Sequence, residues 1–199
     1  WATRTNFKID SNELIAGSVA EGSASSSDIY RLEGYFGQAS YSYANKYFLS
    51  GSYRYDGSSR FSPDSRWGGF YSVGASWNIH NENFMKELTY VNILKLRASY
   101  GLNGNNNIAP YRAYGVYSSA NYNGVTGMLP SRPANPYLSW EKNGTWNIGF
   151  DATLFDRLDV NIDYYNRLTT DMLLNKNVPQ TTGFSSNFMN IGSLENKGL

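Results

Sequence analysis

This chain of 199 residues has one histidine and no cysteine, which narrows the chemistry it can do. A serine–histidine–acid hydrolase would need His80 beside an activated serine. The sequence places His80 at a strand end between Ile79 and Asn81, where it reads as a turn residue. Without cysteine there is no thiolate metal site and no disulfide framework. Asp151, Asp159 and Asp163 form the best carboxylate group, yet inward acids are what any water-filled pore requires. "GLNGNNN" at 101–107 lacks both the spacing and the lysine of a phosphate loop, and no calcium loop is found. "NGT" at 143–145 matches a glycosylation acceptor but falls on an expected strand. No catalytic residue, cofactor or metal is therefore expected, and the chain reads as a non-enzyme. A net charge of +1 gives no electrostatic reason to expect nucleic acid as a partner.

What must position the remaining side chains is a set of strands. "YFGQASYSYANKYFLSGSYRYDGSSR" puts Tyr35, Gly37, Ala39, Tyr41 and Tyr43 on one face. After "ANK", Tyr47, Leu49, Gly51, Tyr53 and Tyr55 continue it, the period of two of a β-hairpin. The same alternation predicts strands at 70–79, 93–102, 143–154 and 158–167, beside 35–44 and 47–56. Strands of about ten residues suit a tilted membrane crossing. The negative mean hydropathy does not argue against this, because only alternate residues of a barrel strand meet lipid.

Aromatic residues collect at strand ends, with Gly, Ala or aliphatic residues between. Tyr35, Tyr53, Tyr55, Tyr71, Tyr100, Trp146 and Tyr164 make one rim; Tyr41, Tyr43, Tyr47, Trp77 and Phe155 make the other. Amphipathic rings favour headgroup depth, so two such girdles predict a lipid-facing barrel wall. A soluble or surface-exposed glycan-binding β-sandwich also alternates, but it would place large aliphatics mid-strand. A small outer-membrane barrel enzyme of about eight strands is a second alternative. Connections alternate between short ("ANK", "FDR", and "HNENFMKELTYVN", with one or two helical turns and Asn81 as a possible cap) and long (57–69, 103–142, 168–190). The Gly/Ser-rich stretch 17–28 falls on the long-loop side. The chain opens mid-pattern and stops at "IGSLENKGL", which reads as the start of another strand, so a piece of a longer chain is expected.

Several runs resemble the SusC/RagA family of TonB-dependent outer-membrane transporters: "RLEGYFGQASYSYANKYFLSGSYRYDGSSRF", "RWGGFYSVGASWNI", "LKLRASYGLNGN", "NPYLSWEK" with "NIGFDATLF", "VNIDYYNRLTTDMLL" and "NIGSLENKGL". The resemblance covers most of 31–199. It implies an all-β fold, part of an antiparallel transmembrane barrel of about 22 strands with a plug. The whole of 1–199 would then be barrel, with the plug domain and TonB box absent from it. It also implies nutrient import across the outer membrane of a Gram-negative, Bacteroidota-like bacterium. The implied partners are TonB, a SusD-like surface lipoprotein, membrane lipid, and an oligosaccharide or peptide substrate.

Within that frame Arg54, Asp56, Lys95, Arg97, Asp163 and Arg167 are lumen- or plug-facing candidates. Their mixed signs suit hydrogen bonding to neutral polar groups better than filtering by charge. Trp67, Tyr111, Tyr114, Tyr117, Tyr122, Tyr137 and Trp140 are the external-loop candidates for ligand or lid contact. Pro130, Pro133 and Pro136 are expected to stiffen the return into the strand that follows.

Overall fold

The structure is a computed structural model; it describes the backbone of 4–7 and 17–20 and residues 28–199, with the side chain of Tyr122 outside the described residues. Residues 1–30 form a unit of their own. In it β1 (Arg4–Phe7) pairs antiparallel with β2 (Gly17–Ala20), so the Gly/Ser-rich stretch begins as strand rather than loop. Its residues 21–27 lie outside the described residues.

Residues 31–199 form the second unit, built on one seven-stranded antiparallel sheet. Its strands are β3 (Leu32–Tyr43), β4 (Tyr47–Ser58), β5 (Trp67–Asn78), β6 (Val91–Asn105), β9 (Glu141–Leu154), β10 (Leu158–Thr170) and β13 (Ser193–Gly198), each next to its predecessor in this series. Two hairpins rise out of the connections at one end. They are β7 (Val116–Tyr122) with β8 (Val125–Arg132), and β11 (Leu173–Asn177) with β12 (Ser186–Asn190). Among the described residues there is no α-helix. The expected helical turns after β5 are two 3-10 turns, Ile79–Asn81 and Asn83–Met85. Asn81 caps neither; its amide instead donates to Asn45 O at 2.9 Å.

Two tight turns close the other end, and they are built alike. Ala44 and Asn45 have φ of 51° and 54°, and Phe155 and Asp156 have 56° and 53°. Lys46 N donates to Tyr43 O at 2.9 Å, and Arg157 N to Leu154 O at 3.1 Å. Left-handed backbone matches the twist of the flanking strands. Asn and Asp tolerate it, while Ala44 and Phe155 adopt it at a cost of about 1–2 kcal/mol each.

Register keeps like with like. Tyr41, Leu49, Ala75, Ala98, Ile148 and Tyr164 form one row across six strands, each opposite its neighbour. No described element covers this face: Leu49 is 53% exposed, Leu96 42% and Ile148 50%. A soluble sandwich would bury that row against a second sheet. At the loop end the strands run two or three residues past the alternation, to Leu32, Ser58, Trp67, Asn105, Glu141 and Thr170. Ladder hydrogen bonds need no apolar side chains, so pairing continues after the lipid-facing pattern ends. Tyr164 consequently lies in the row of Ile148, inside the rim where the alternation had put it.

The buried core lies elsewhere. Phe61, Phe70, Ile108, Ala113, Leu138 and Trp140 pack together where the three long connections meet, with Leu173 and Phe188 against them. Phe61 and Leu138 are fully buried, and Trp140 is 6% exposed. Trp140 Nε1 donates to Arg66 O at 2.9 Å, which satisfies its one polar group. Asn190 receives Ser139 N on its side-chain oxygen and donates to Ser139 O, both at 2.8 Å. Asn135 Nδ2 donates to Phe188 O at 2.8 Å. These contacts tie the 106–140 segment to the β11–β12 hairpin and make a roof over one end of the sheet.

Candidate functional site

The polar face of the wall carries the inward candidates. Arg54 and Asp56 lie two apart on β4 and form an ion pair of 2.6 Å. Phe36, Arg54 and Phe70 share one row; Gly34, Asp56 and Gly68 share the next toward the roof. Gly34, Phe36, Arg54, Asp56 and Phe70, together with Trp140 and Asn103, line an open recess of about 670 Å³ at the roofed end. Phe36 projects from the polar face 84% exposed. Phe70 is instead folded against the roof core, its ring filling the space above Gly104 where any Cβ would strike it. The recess thus combines an exposed ring, a paired charge couple and amide groups, a set able to hold a polar solute with an apolar face.

Deeper along the same face, Arg97 spans three strands. Its Nε and Nη2 each reach Asp151 at 2.7 Å, and Nη2 lies 3.2 Å from an Asp163 oxygen. The bidentate fork suits a carboxylate, and the second acid uses a donor left over. Gly149 sits between Arg97 and Asp163 in the register, and a Cβ there would come within 2.7 Å of Arg97 Cζ. The sequence groups Asp151 with Asp159 and Asp163 as one inward acidic patch; in the structure it is the main partner of Arg97, which reaches it diagonally across the strand pair. Lys95 lies directly opposite Asp151, and Arg167 opposite Thr145 and Asn196.

The loop aromatics separate into three environments. Trp67 is not a loop residue. It opens β5 on the apolar face and stacks on Tyr55 at 5.0 Å and on Tyr35 at 6.3 Å, extending the rim. Trp140 is a core residue, 6% exposed, that also lines the recess. Tyr111, Tyr114, Tyr117 and Tyr137 are exposed on the roof, and Tyr122 ends β7. The backbone oxygens of Tyr111 and Tyr114 receive the Arg132 guanidinium. Desolvation there, then the neighbouring Arg112, lowers the Arg132 pKa.

At the opposite end, a polar staple was invisible to sequence reading. Glu82 accepts from Lys46 Nζ at 2.8 Å, Tyr47 Oη at 2.7 Å and Trp77 Nε1 at 3.1 Å. The Lys46 and Tyr47 hydrogen bonds hold its carboxyl at about 2, against desolvation. The same bond to Glu82 raises the Lys46 pKa. His80 Nδ1 lies 3.2 Å from Leu94 O. It faces backbone, not a serine, among the described contacts. Among the described residues no group of three or more His, Asp or Glu is placed to hold a metal ion.

Comparison with known proteins agrees with this architecture. The family described as "TonB dependent receptor-like, beta-barrel" matches residues 2–199. TonB-dependent receptor SusC of Bacteroides thetaiotaomicron is 42% identical over 179 residues, 84% of this chain and 18% of SusC. TonB-dependent receptor P39 of Formosa agariphila is 42% identical over 171 residues, 85% of this chain and 16% of that protein. Among solved structures, the RagAB peptide importer in its closed-closed state superposes with a TM-score of 0.78 at 35% identity, covering 84% of this chain and 19% of that one. Its open-open state gives 0.78 at 34% identity, with 92% and 21% covered. The chain therefore spans less than a fifth of the curated relatives it matches.

Proposed function

Because this chain belongs to the TonB-dependent receptor-like β-barrel family, we propose that it forms part of the wall and external roof of an importer that takes up an oligosaccharide or a peptide. The protein would lie in the outer membrane of a Gram-negative, Bacteroidota-like bacterium and be driven through TonB. It would bind and pass its solute without altering it chemically. A SusD-like surface lipoprotein is the proposed lid.

One observation carries this reading. The wall keeps an uncovered apolar face and, behind it, a polar face with paired charges and an open recess beneath folded loops. A lipid-facing outside and hydrated inside need both. Arg54, Asp56, Lys95, Arg97, Asp163 and Arg167 are proposed to face the pore or its plug. Tyr111, Tyr114, Tyr117, Tyr122 and Tyr137 are the proposed contacts for solute or lid. The likeness to the RagAB peptide importer favours peptide as one substrate class to try first, beside the oligosaccharide that the sequence resemblance implies.

The test is growth of a strain lacking the gene on single glycans and peptides, with and without complementation. One nutrient class should require the gene, and its uptake should stop when the inner-membrane proton gradient is dissipated. Uptake that survives dissipation would overturn energised import. Recovery of a chemically altered solute from purified protein would restore the enzyme alternative.

A further inference from the structure

The ion pair on β4 is unequal. The Asp56 side chain is 15% exposed, whereas that of Arg54 is 65% exposed. Both Asp56 oxygens lie at Arg54 Nε, 2.7 and 2.6 Å away. Among the described residues Arg54 Nη1 and Nη2 make no hydrogen bond. The acid thus holds the guanidinium by its inner nitrogen and leaves the outer edge to the recess. A Cβ at Gly34 would strike the Asp56 carboxylate, so the pair lies over bare backbone. Phe36 stands opposite Arg54 on β3 with its ring exposed. Glu33 also borders the recess, but its carboxylate receives Tyr35 Oη, and that ring stacks on Trp67 on the apolar face. One row deeper, Ser52 and Ser72 share a hydrogen bond of 2.7 Å and Gly101 follows, so β4–β6 carry no bulky side chain there.

We propose that Arg54 binds a carboxylate group of the solute in this recess, the terminal carboxylate of a peptide or the uronate of a glycan. The free edge of the guanidinium carries the assignment. Two parallel N–H donors on one plane match the two oxygens of a carboxylate, a match that a single hydroxyl or amide oxygen cannot make. Asp56 fixes that fork before the solute arrives, so less side-chain freedom is lost on binding. The pair is neutral as a whole, so the gain comes at contact and not from long-range attraction. Phe36 offers its ring to the apolar part next to the carboxylate, an amino-acid side chain or a sugar face. A recess of about 670 Å³ holds more than the acidic group. The rest of the solute lies over Ser52 and Ser72, where the wall leaves space. The proposal deepens the import reading and rests on the polar face being the pore side.

Calorimetric titration of the full-length protein in detergent reads the site with matched probes. They are N-acetylated pentapeptides of uncharged residues with a free C-terminal carboxylate, the same peptides amidated at that end, trigalacturonate, and its methyl ester. In one of the two classes the acid should bind about tenfold more tightly than its neutral partner, the scale of one charge-assisted hydrogen bond. The class that shows the difference identifies the source of the carboxylate. Arg54→Gln should abolish the difference by weakening the acid alone. Arg54→Lys should keep part of it, because the charge remains and the fork is lost. Phe36→Ala should weaken acid and neutral forms alike. Lys176→Gln removes an exposed cation from β11 and should leave the difference intact. Equal binding of acid and neutral forms in both classes, no binding of any probe, or a difference that survives Arg54→Gln would each overturn the site. Uptake that still requires the proton gradient would then leave the import reading standing, which separates the two claims.

Discussion

The wall and the roof use the same apolar residue types to opposite ends. In the roof, Phe61, Leu138 and Trp140 are withdrawn from solvent by other parts of the chain. In the wall, Leu49, Leu96 and Ile148 meet no covering element at all. The difference follows from what surrounds each. The roof stands in water, so it holds its loops together with a core of its own. The wall needs no protein partner on its apolar side, because lipid supplies that partner and the strand ladders satisfy the backbone. Leucine thus serves different ends in the two regions, buried by protein in one and left to lipid in the other.

The sharpest way to break this comparison is to remove the roof's core. Leu138→Ala should cost about 2–5 kcal/mol, and Phe61→Ala about 3–5 kcal/mol. Hydrogen exchange should rise across 106–140 and 171–192 while β3–β6 stay protected. Uniform loss of protection would show that roof and wall are one cooperative body.

Next in size is a charge on the lipid side. Ile148→Arg should destabilise the protein in a bilayer by about 2–4 kcal/mol. Asn147→Arg, one residue away on the polar face, should cost well under half as much. Guanidinium unfolding from vesicles compares them, and equal costs would deny that the two faces meet different solvents.

A smaller effect is expected on the polar face itself. Arg97→Met leaves Asp151 and Asp163 without their shared partner, at about 1–2 kcal/mol once exposure of the group is allowed for. Gly149→Ala should reproduce part of that loss, since its methyl group competes for the same space. If Gly149→Ala were silent in the same unfolding assay, the guanidinium would not need to lie across the sheet.

The smallest is the turn staple. Glu82 is held at about 2, below its value in the unfolded chain. Its contribution is thus present above the unfolded value near 4.5 and disappears as pH falls through about 2. Unfolding midpoints taken from pH 5 down to pH 2 should fall in the wild type more than in Glu82→Gln. Parallel curves would mean that the staple contributes nothing measurable.

Much of this was legible beforehand, and for a reason. Each wall strand declares its two faces locally, so Tyr35 to Tyr43 and Tyr47 to Tyr55 could be assigned without knowing their neighbours. The two tight turns, "ANK" and "FDR", were readable from their length alone. The roof was not readable in that way. Trp140 had the same local signature as an exposed binding ring, and only packing against Phe61 and Phe70 made it core. Trp67 sat in what read as a loop until pairing with Gly57 extended the strand to include it. Glu82 carried no motif, because its partners Lys46, Tyr47 and Trp77 come from other strands and turns.

The sequence by itself determined the period of two, the apolar and polar faces, and the placement of rings at strand ends. These are properties of single strands, in which each side chain's direction follows from its parity. Only the tertiary structure decided the pairing that sets Arg97 between two acids and the burial of the roof. Those depend on residues far apart in the chain, whose meeting is set by pairing and packing rather than by any local pattern.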